Sequence, residues 1–136
     1  MRTREKCKGR ANTGGFQQLP KDLINHPNFF KLRHRSKALL IDLLSQYNGK
    51  NNGDLCAAMT LMKERGWTSN SSLNLALKEL QYYGFIKIAR QGGRNLATLY
   101  AVTFKAVDDC GGKIDINPTR VPSFEYKATK KKWQPH

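Results

Sequence analysis

Residues 66–104 read GWTSNSSLNLALKELQYYGFIKIARQGGRNLATLYAVTF, and the apolar period changes within them. Leu73, Ala76, Leu77 and Leu80 recur at helical spacing. Phe85 to Arg90 and Leu96 to Phe104 are β-forming runs, with Tyr100, Val102 and Phe104 on one face. The change falls at Gly84, a residue suited to the left-handed conformation that ends helices. The stretch predicts a helix over about 70–83, a strand over 85–90, a turn at Gln91-Gly92-Gly93-Arg94-Asn95 and a second strand, the last three forming a β-hairpin.

Upstream, Ser36 is the expected N-cap of a helix running through Leu39, Leu40, Ile41, Leu43 and Leu44 to Tyr47, where Asn48-Gly49 stops it. Its apolar face is wide, which makes it the buried strut of the core. Lys50-Asn51-Asn52-Gly53-Asp54 carries turn chemistry throughout. A second helix is expected over about 55–65, with Leu55, Ala58, Leu61 and Met62 inward and Gly66 at its end. Pro20 to Asn25 reads as one helical turn with proline at its start, broken by His26-Pro27-Asn28. Residues 1–15 are polar and basic and close on Gly14-Gly15, as a flexible arm does.

Downstream, Asp108-Asp109-Cys110-Gly111-Gly112 reads as a turn. Ile114 and Ile116 alternate with Lys113 and Asp115, the pattern of a short edge strand. Pro118 and Pro122 prevent regular structure further on. The chain has 136 residues, the size of one domain with a self-supporting core. The plan is an arm over 1–15, a folded domain over 16–105 and a basic, mostly irregular extension over 106–136.

The formal net charge is +14. Both ends contribute: Arg2, Arg4, Lys6, Lys8 and Arg10 at one, and Lys127, Lys130, Lys131 and Lys132 at the other. A small soluble protein does not need so large a charge for solubility, so a polyanionic partner is expected. No run of 18 apolar residues spans a bilayer, and no apolar stretch follows the basic start as in a secretory signal. Three widely spaced cysteines, Cys7, Cys56 and Cys110, argue against a disulfide framework and fit a reducing cytosol, with Cys56 expected to face the core.

Helix, helix, short turn, helix, hairpin is the order that carries function. Two helices joined by a turn containing Gly form a helix-turn-helix unit, whose second helix enters the major groove of DNA. Here that helix has its inner face taken by leucines. Ser69, Asn70, Ser71, Ser72, Asn74 and Lys78 remain as base-reading candidates, because Asn can bridge an adenine edge and Ser can bond base edges or phosphates. Arg90, Arg94 and Asn95 at the hairpin are candidates for backbone contact. Lys31, Arg33, Arg35 and Lys37, around the start of the first strong helix, are candidate phosphate clamps. Arg2, Arg4 and Arg10 have the composition of an arm laid in a minor groove, or of a solvated tail. Lys63 and Arg65 either contact phosphate or complement the end of the second helix. For Trp133 packing or disorder is favoured over stacking on a base.

Residues 16–104 resemble a winged-helix (winged helix-turn-helix) DNA-binding domain. Gln46 to Leu55 (QYNGKNNGDL), Glu79 to Ile86 (ELQYYGFI) and Leu99 to Phe104 (LYAVTF) are similar to stretches of small bacterial helix-turn-helix proteins, often carried on mobile elements. The resemblance implies an α+β, mainly α fold: three helices, a C-terminal hairpin wing and basic terminal extensions. It implies sequence-specific binding of double-stranded DNA by a transcriptional regulator in the bacterial cytosol or nucleoid. An origin-binding protein of the replication-initiator type, or a non-specific DNA- or RNA-binding protein, would use the same parts.

Catalysis is not expected. His26, His34 and His136 are scattered, and no Cys or His pair has zinc spacing. Residues 48–59 fail as a calcium loop, with Lys50 and Met59 at ligand positions. Gly49-Lys50 lacks the pattern of a P-loop. No cofactor, metal, membrane or small-molecule ligand is called for. A homodimer is left open, since many helix-turn-helix proteins bind two-fold sites.

Overall fold

The computed structural model describes residues 15–134, so Arg2, Arg4, Arg10 and Cys7 lie outside the described residues. Five helices and three strands follow in order: α1 (Lys21–Ile24), α2 (Pro27–Lys31), α3 (His34–Leu44), β1 (Leu55–Cys56), α4 (Met59–Met62), α5 (Asn70–Tyr82), β2 (Ile86–Arg90) and β3 (Leu99–Val102). The fold is α+β and mainly helical, with one small antiparallel sheet in the order β1-β3-β2.

The periodic elements form as their sequence dictates. On α5, Leu73, Ala76, Leu77 and Leu80 are buried, and Ser69 caps the helix by accepting from the Ser72 N–H at 3.3 Å. Strands β2 and β3 pair Ile86 with Val102, Lys87 with Ala101 and Ile88 with Tyr100, then shift register at a bulge before Arg90–Leu99. Leu96, Ala97 and Thr98 belong to the hairpin loop, not to the strand. All four residues of β3 are buried, because it is the central strand and is covered on both faces.

The second helix is corrected. Leu55 and Cys56 are strand β1, paired with Tyr100 and Leu99. Only Met59–Met62 is α-helical, and a 3-10 turn over Lys63–Arg65 finishes the element at Gly66. The Gln46 side chain satisfies the outer edge of β1, donating to the Cys56 carbonyl at 2.7 Å and accepting its N–H at 2.9 Å. Leu61 is exposed rather than inward, and Cys56 is half-buried at the sheet rather than in the core.

Three further differences have local causes. Ser36 is not a cap: the N-cap is Arg33, three residues earlier, and the Ser36 hydroxyl is buried against Glu79. Helix α3 ends at Leu44, before Tyr47, and Gln46 turns toward β1. His26-Pro27-Asn28 ends α1 but also opens α2: Pro27 stands in the first turn, where no N–H is needed, and His26 Nδ1 accepts from the Asn28 N–H at 3.1 Å.

Residues 106–134 form no strand. Two 3-10 turns, Cys110–Gly112 and Glu125–Lys127, interrupt an otherwise irregular course. Ile114 and Ile116 do not make an edge strand. With Val107 they cover Ala89 and Ala101 on the outer face of the sheet, and a single bond from Asp115 N to Ala89 O, 2.8 Å, ties them there. Further on, Tyr126 is buried and stacks on Phe85 with ring centroids 5.5 Å apart. Removing an aromatic body of that size from water contributes about 2 kcal/mol. Asn28 holds the same segment through its amide, which donates to the carbonyls of Tyr126 at 2.8 Å and Ala128 at 2.6 Å.

Candidate nucleic-acid interface

Helix α5 divides the candidate residues by the side they face. Asn70, Ser71, Asn74 and Lys78 are exposed along its outer face. Ser69 is half-buried as the cap, and its hydroxyl lies 2.9 Å from that of Ser71. Ser72 is turned away from the outer face, toward α3, where its hydroxyl accepts from Arg35 Nη1 at 2.5 Å.

A buried carboxylate links the start of α3 to α5. Glu79 is buried on α5. It accepts from the Ser36 hydroxyl and, at 3.2 and 3.4 Å, from the Arg33 backbone N–H and Nε. An anion at a helix start is favoured by the unpaired N–H groups there. The pattern reading missed Glu79; a charged residue one step from Leu80 on an apolar face was the signal. The same contacts place Arg33 and Arg35 beside α5, whereas in sequence they are separated from it by a strand and a helix.

Two clefts run along this junction. One, of about 260 Å³, is lined by Arg33, His34, Arg35, Ser72 and Leu75. The other, of about 350 Å³, lies at the start of α5 between Arg35, Arg65, Trp67 and Ser69. Its wall is braced by Asp42, which accepts from Arg65 Nε at 3.1 Å and from the Trp67 indole at 2.8 Å. Arg65 therefore has an intramolecular partner, though a half-exposed pair of this kind contributes little stability.

Several expected phosphate clamps also have partners inside the molecule. Lys31 donates to the Lys130 carbonyl at 2.5 Å. Lys37 lies over the Phe29 ring at 5.2 Å. Arg33 sits over the Trp133 ring at 5.1 Å while its side chain stays about half exposed. At the hairpin, half-buried Arg90 donates to the Ala97 carbonyl at 2.8 Å, bracing the loop. Arg94 and Asn95 are exposed at the tip, and Asn95 adopts φ 56, a left-handed conformation that Asn tolerates. The loop closes tightly: a Cβ on Gly92 would meet the Leu96 carbonyl and Thr98 N at 2.5 Å.

The far end of α5 receives the C-terminal segment. The Tyr82 hydroxyl donates to the Lys131 carbonyl at 3.0 Å, and the buried Tyr83 hydroxyl accepts from Trp133 N at 2.7 Å. Burial pushes the Tyr83 phenol up, with the bond from Trp133 opposing and Glu79 adding to the rise. Trp133 packs against the core. Among the described residues no cluster of His, Cys, Asp and Glu is placed to hold a metal, and no helix is long and apolar enough to cross a membrane. No family model, curated protein or solved structure matches the chain.

Proposed function

We propose that this chain is a winged-helix protein that binds double-stranded DNA by sequence, as a transcriptional regulator in the bacterial cytoplasm. The observation that carries the reading is the exposed Asn70–Ser71–Asn74–Lys78 face of α5. It is polar, nearly uncharged and flanked by Arg33 and Arg35. Small hydrogen-bonding side chains let a helix lie deep in a major groove, and flanking cations suit the phosphates beside it. The order α3, β1, α4, α5, hairpin supports a winged helix, with α4 and α5 as the helix-turn-helix pair and the hairpin as its wing.

Selection from a random duplex library at about 200 mM salt tests this, since charge alone no longer dominates there. A recovered motif is expected. Asn70→Ala with Asn74→Ala should lower affinity for that motif by at least about tenfold and change affinity for random duplex little. Failure to enrich any motif would remove sequence reading from α5.

The wing makes a separate prediction. Arg94 is exposed at the tip with no hydrogen-bond or salt-bridge partner among the described residues, whereas Arg90 is bound to its own loop. Arg94→Ala should weaken binding to every sequence alike and reduce the slope of log affinity against log salt by about one. An unchanged slope, measured by fluorescence anisotropy across a salt series, would take the hairpin tip off the DNA.

A further inference from the structure

The segment Ala128–Trp133 is anchored mainly through its backbone. The carbonyls of Ala128, Lys130 and Lys131 accept from Asn28, Lys31 and Tyr82, and the N–H of Trp133 donates to Tyr83. This mode of docking leaves the lysine side chains available. Lys131 and Lys132 are exposed, Lys130 is half-buried with its ammonium 5.4 Å above the Tyr82 ring, and none of the three pairs with a carboxylate among the described residues. Arg33, over Trp133, adds a fourth cation at the same end.

Position along α5 says what these cations can meet. Ser71, Lys78 and Tyr82 stand at i, i+7 and i+11, one face of a helix. Tyr82, which holds Lys131 and underlies Lys130, therefore ends the stripe that carries the polar residues. From Ser71 to Tyr82 the axial rise is about 16 Å, and a major groove is about 12 Å wide. With the start of α5 in the groove, its far end stands level with a phosphate rim.

We propose that Ala128–Trp133 is a docked cationic strap that grips the phosphodiester backbone of a duplex lying on α5. The proposal rests on the reading of α5 given above. It differs from that of a floating basic tail, because it makes the tyrosine anchors matter as much as the charges. The strap binds without reading bases, so it should hold all sequences equally.

The test uses the full chain and a fluorescent duplex over a salt series. Lys131→Gln with Lys132→Gln removes two exposed charges with no effect on the core. It should lower affinity about tenfold at about 100 mM salt and reduce the log–log slope by about two. Tyr82→Phe with Tyr83→Phe removes both anchoring hydroxyls and no charge; it should lower affinity in the same direction, with the thermal transition confirming a folded protein. Weakening by both pairs supports the strap. Weakening by the lysine pair alone overturns docking in favour of a floating tail. Wild-type affinity in both variants overturns the strap and leaves α5 as the binding face. No duplex binding by the wild type removes the α5 reading and the strap together.

Discussion

Asn52→Ala is expected to lower the unfolding free energy by about 3–5 kcal/mol, because several buried or half-buried backbone groups lose their Asn52 partner at once. The Asn52 side chain is fully buried. Its amide donates to the carbonyls of Val102, Lys105 and Ala106 at 3.0, 3.1 and 2.9 Å, and its carbonyl accepts from Val102 N at 2.8 Å. Alanine leaves these groups facing an apolar gap. For a chain of this size the loss corresponds to a fall in melting temperature of about 10–20 °C. Asn52→Asp should be no milder, since it keeps the shape but sets an acceptor against three carbonyls. A calorimetric melting temperature within about 3 °C of wild type would show that water, or a shift of the Lys105–Ala106 turn, satisfies the network without it.

Gly84→Ala should cost about 2–4 kcal/mol, in two separable parts. Gly84 has φ +80, a conformation in which alanine is strained by about 1–2 kcal/mol. Its added Cβ would also lie 2.6 Å from the Glu125 carbonyl oxygen and 2.7 Å from its carbon, so backbone would press on backbone. Gly66 is the internal control: its φ is +97, and nothing lies within 4 Å of where its Cβ would be. Gly66→Ala isolates the conformational part. Denaturant titration of the two variants should show Gly84→Ala the more damaging by at least about 1 kcal/mol. Equal losses would mean that the segment around Glu125 yields at no cost. If it yields only by drawing Tyr126 off Phe85, the loss exceeds that of Gly66→Ala, and the anchoring of the residues beyond it weakens.

These two positions also show what a sequence can and cannot reveal. Helix α5 and the hairpin are legible because their periods are local and Gly84 separates them. The outer face of α5 is legible by subtraction, once the leucines are assigned inward. Strand β1 is not, since two residues carry no period and its partner β3 lies more than forty positions on. Asn52 shares its residue type with Asn48 and Asn51, and nothing local says which of the three turns inward. Apart from the rings of Tyr126 and Trp133, the docking of residues 126–133 uses carbonyls and N–H groups, which every residue possesses, so it leaves little pattern in the side chains. One side-chain partner on the helical body, Asn28, is a polar residue in a motif that reads as a helix breaker. Ser36 shows the converse: it is a good cap by type, and Glu79, far away in sequence, gave it another task.

The separation of these partners has a kinetic meaning. Asn28 reaches Tyr126 and Ala128 across 98 and 100 positions. Closing so long a loop is costly in entropy and is repaid only after the intervening chain is ordered. The helices can assemble first; the C-terminal segment then lies down on them as a late layer along a seam. A layer joined along one seam is also the natural unit of partial opening. Opening there would release and re-lay Lys130, Lys131 and Lys132 while α3, α5 and the sheet stay intact, and amide exchange faster along 128–133 than in α5 is the expected sign.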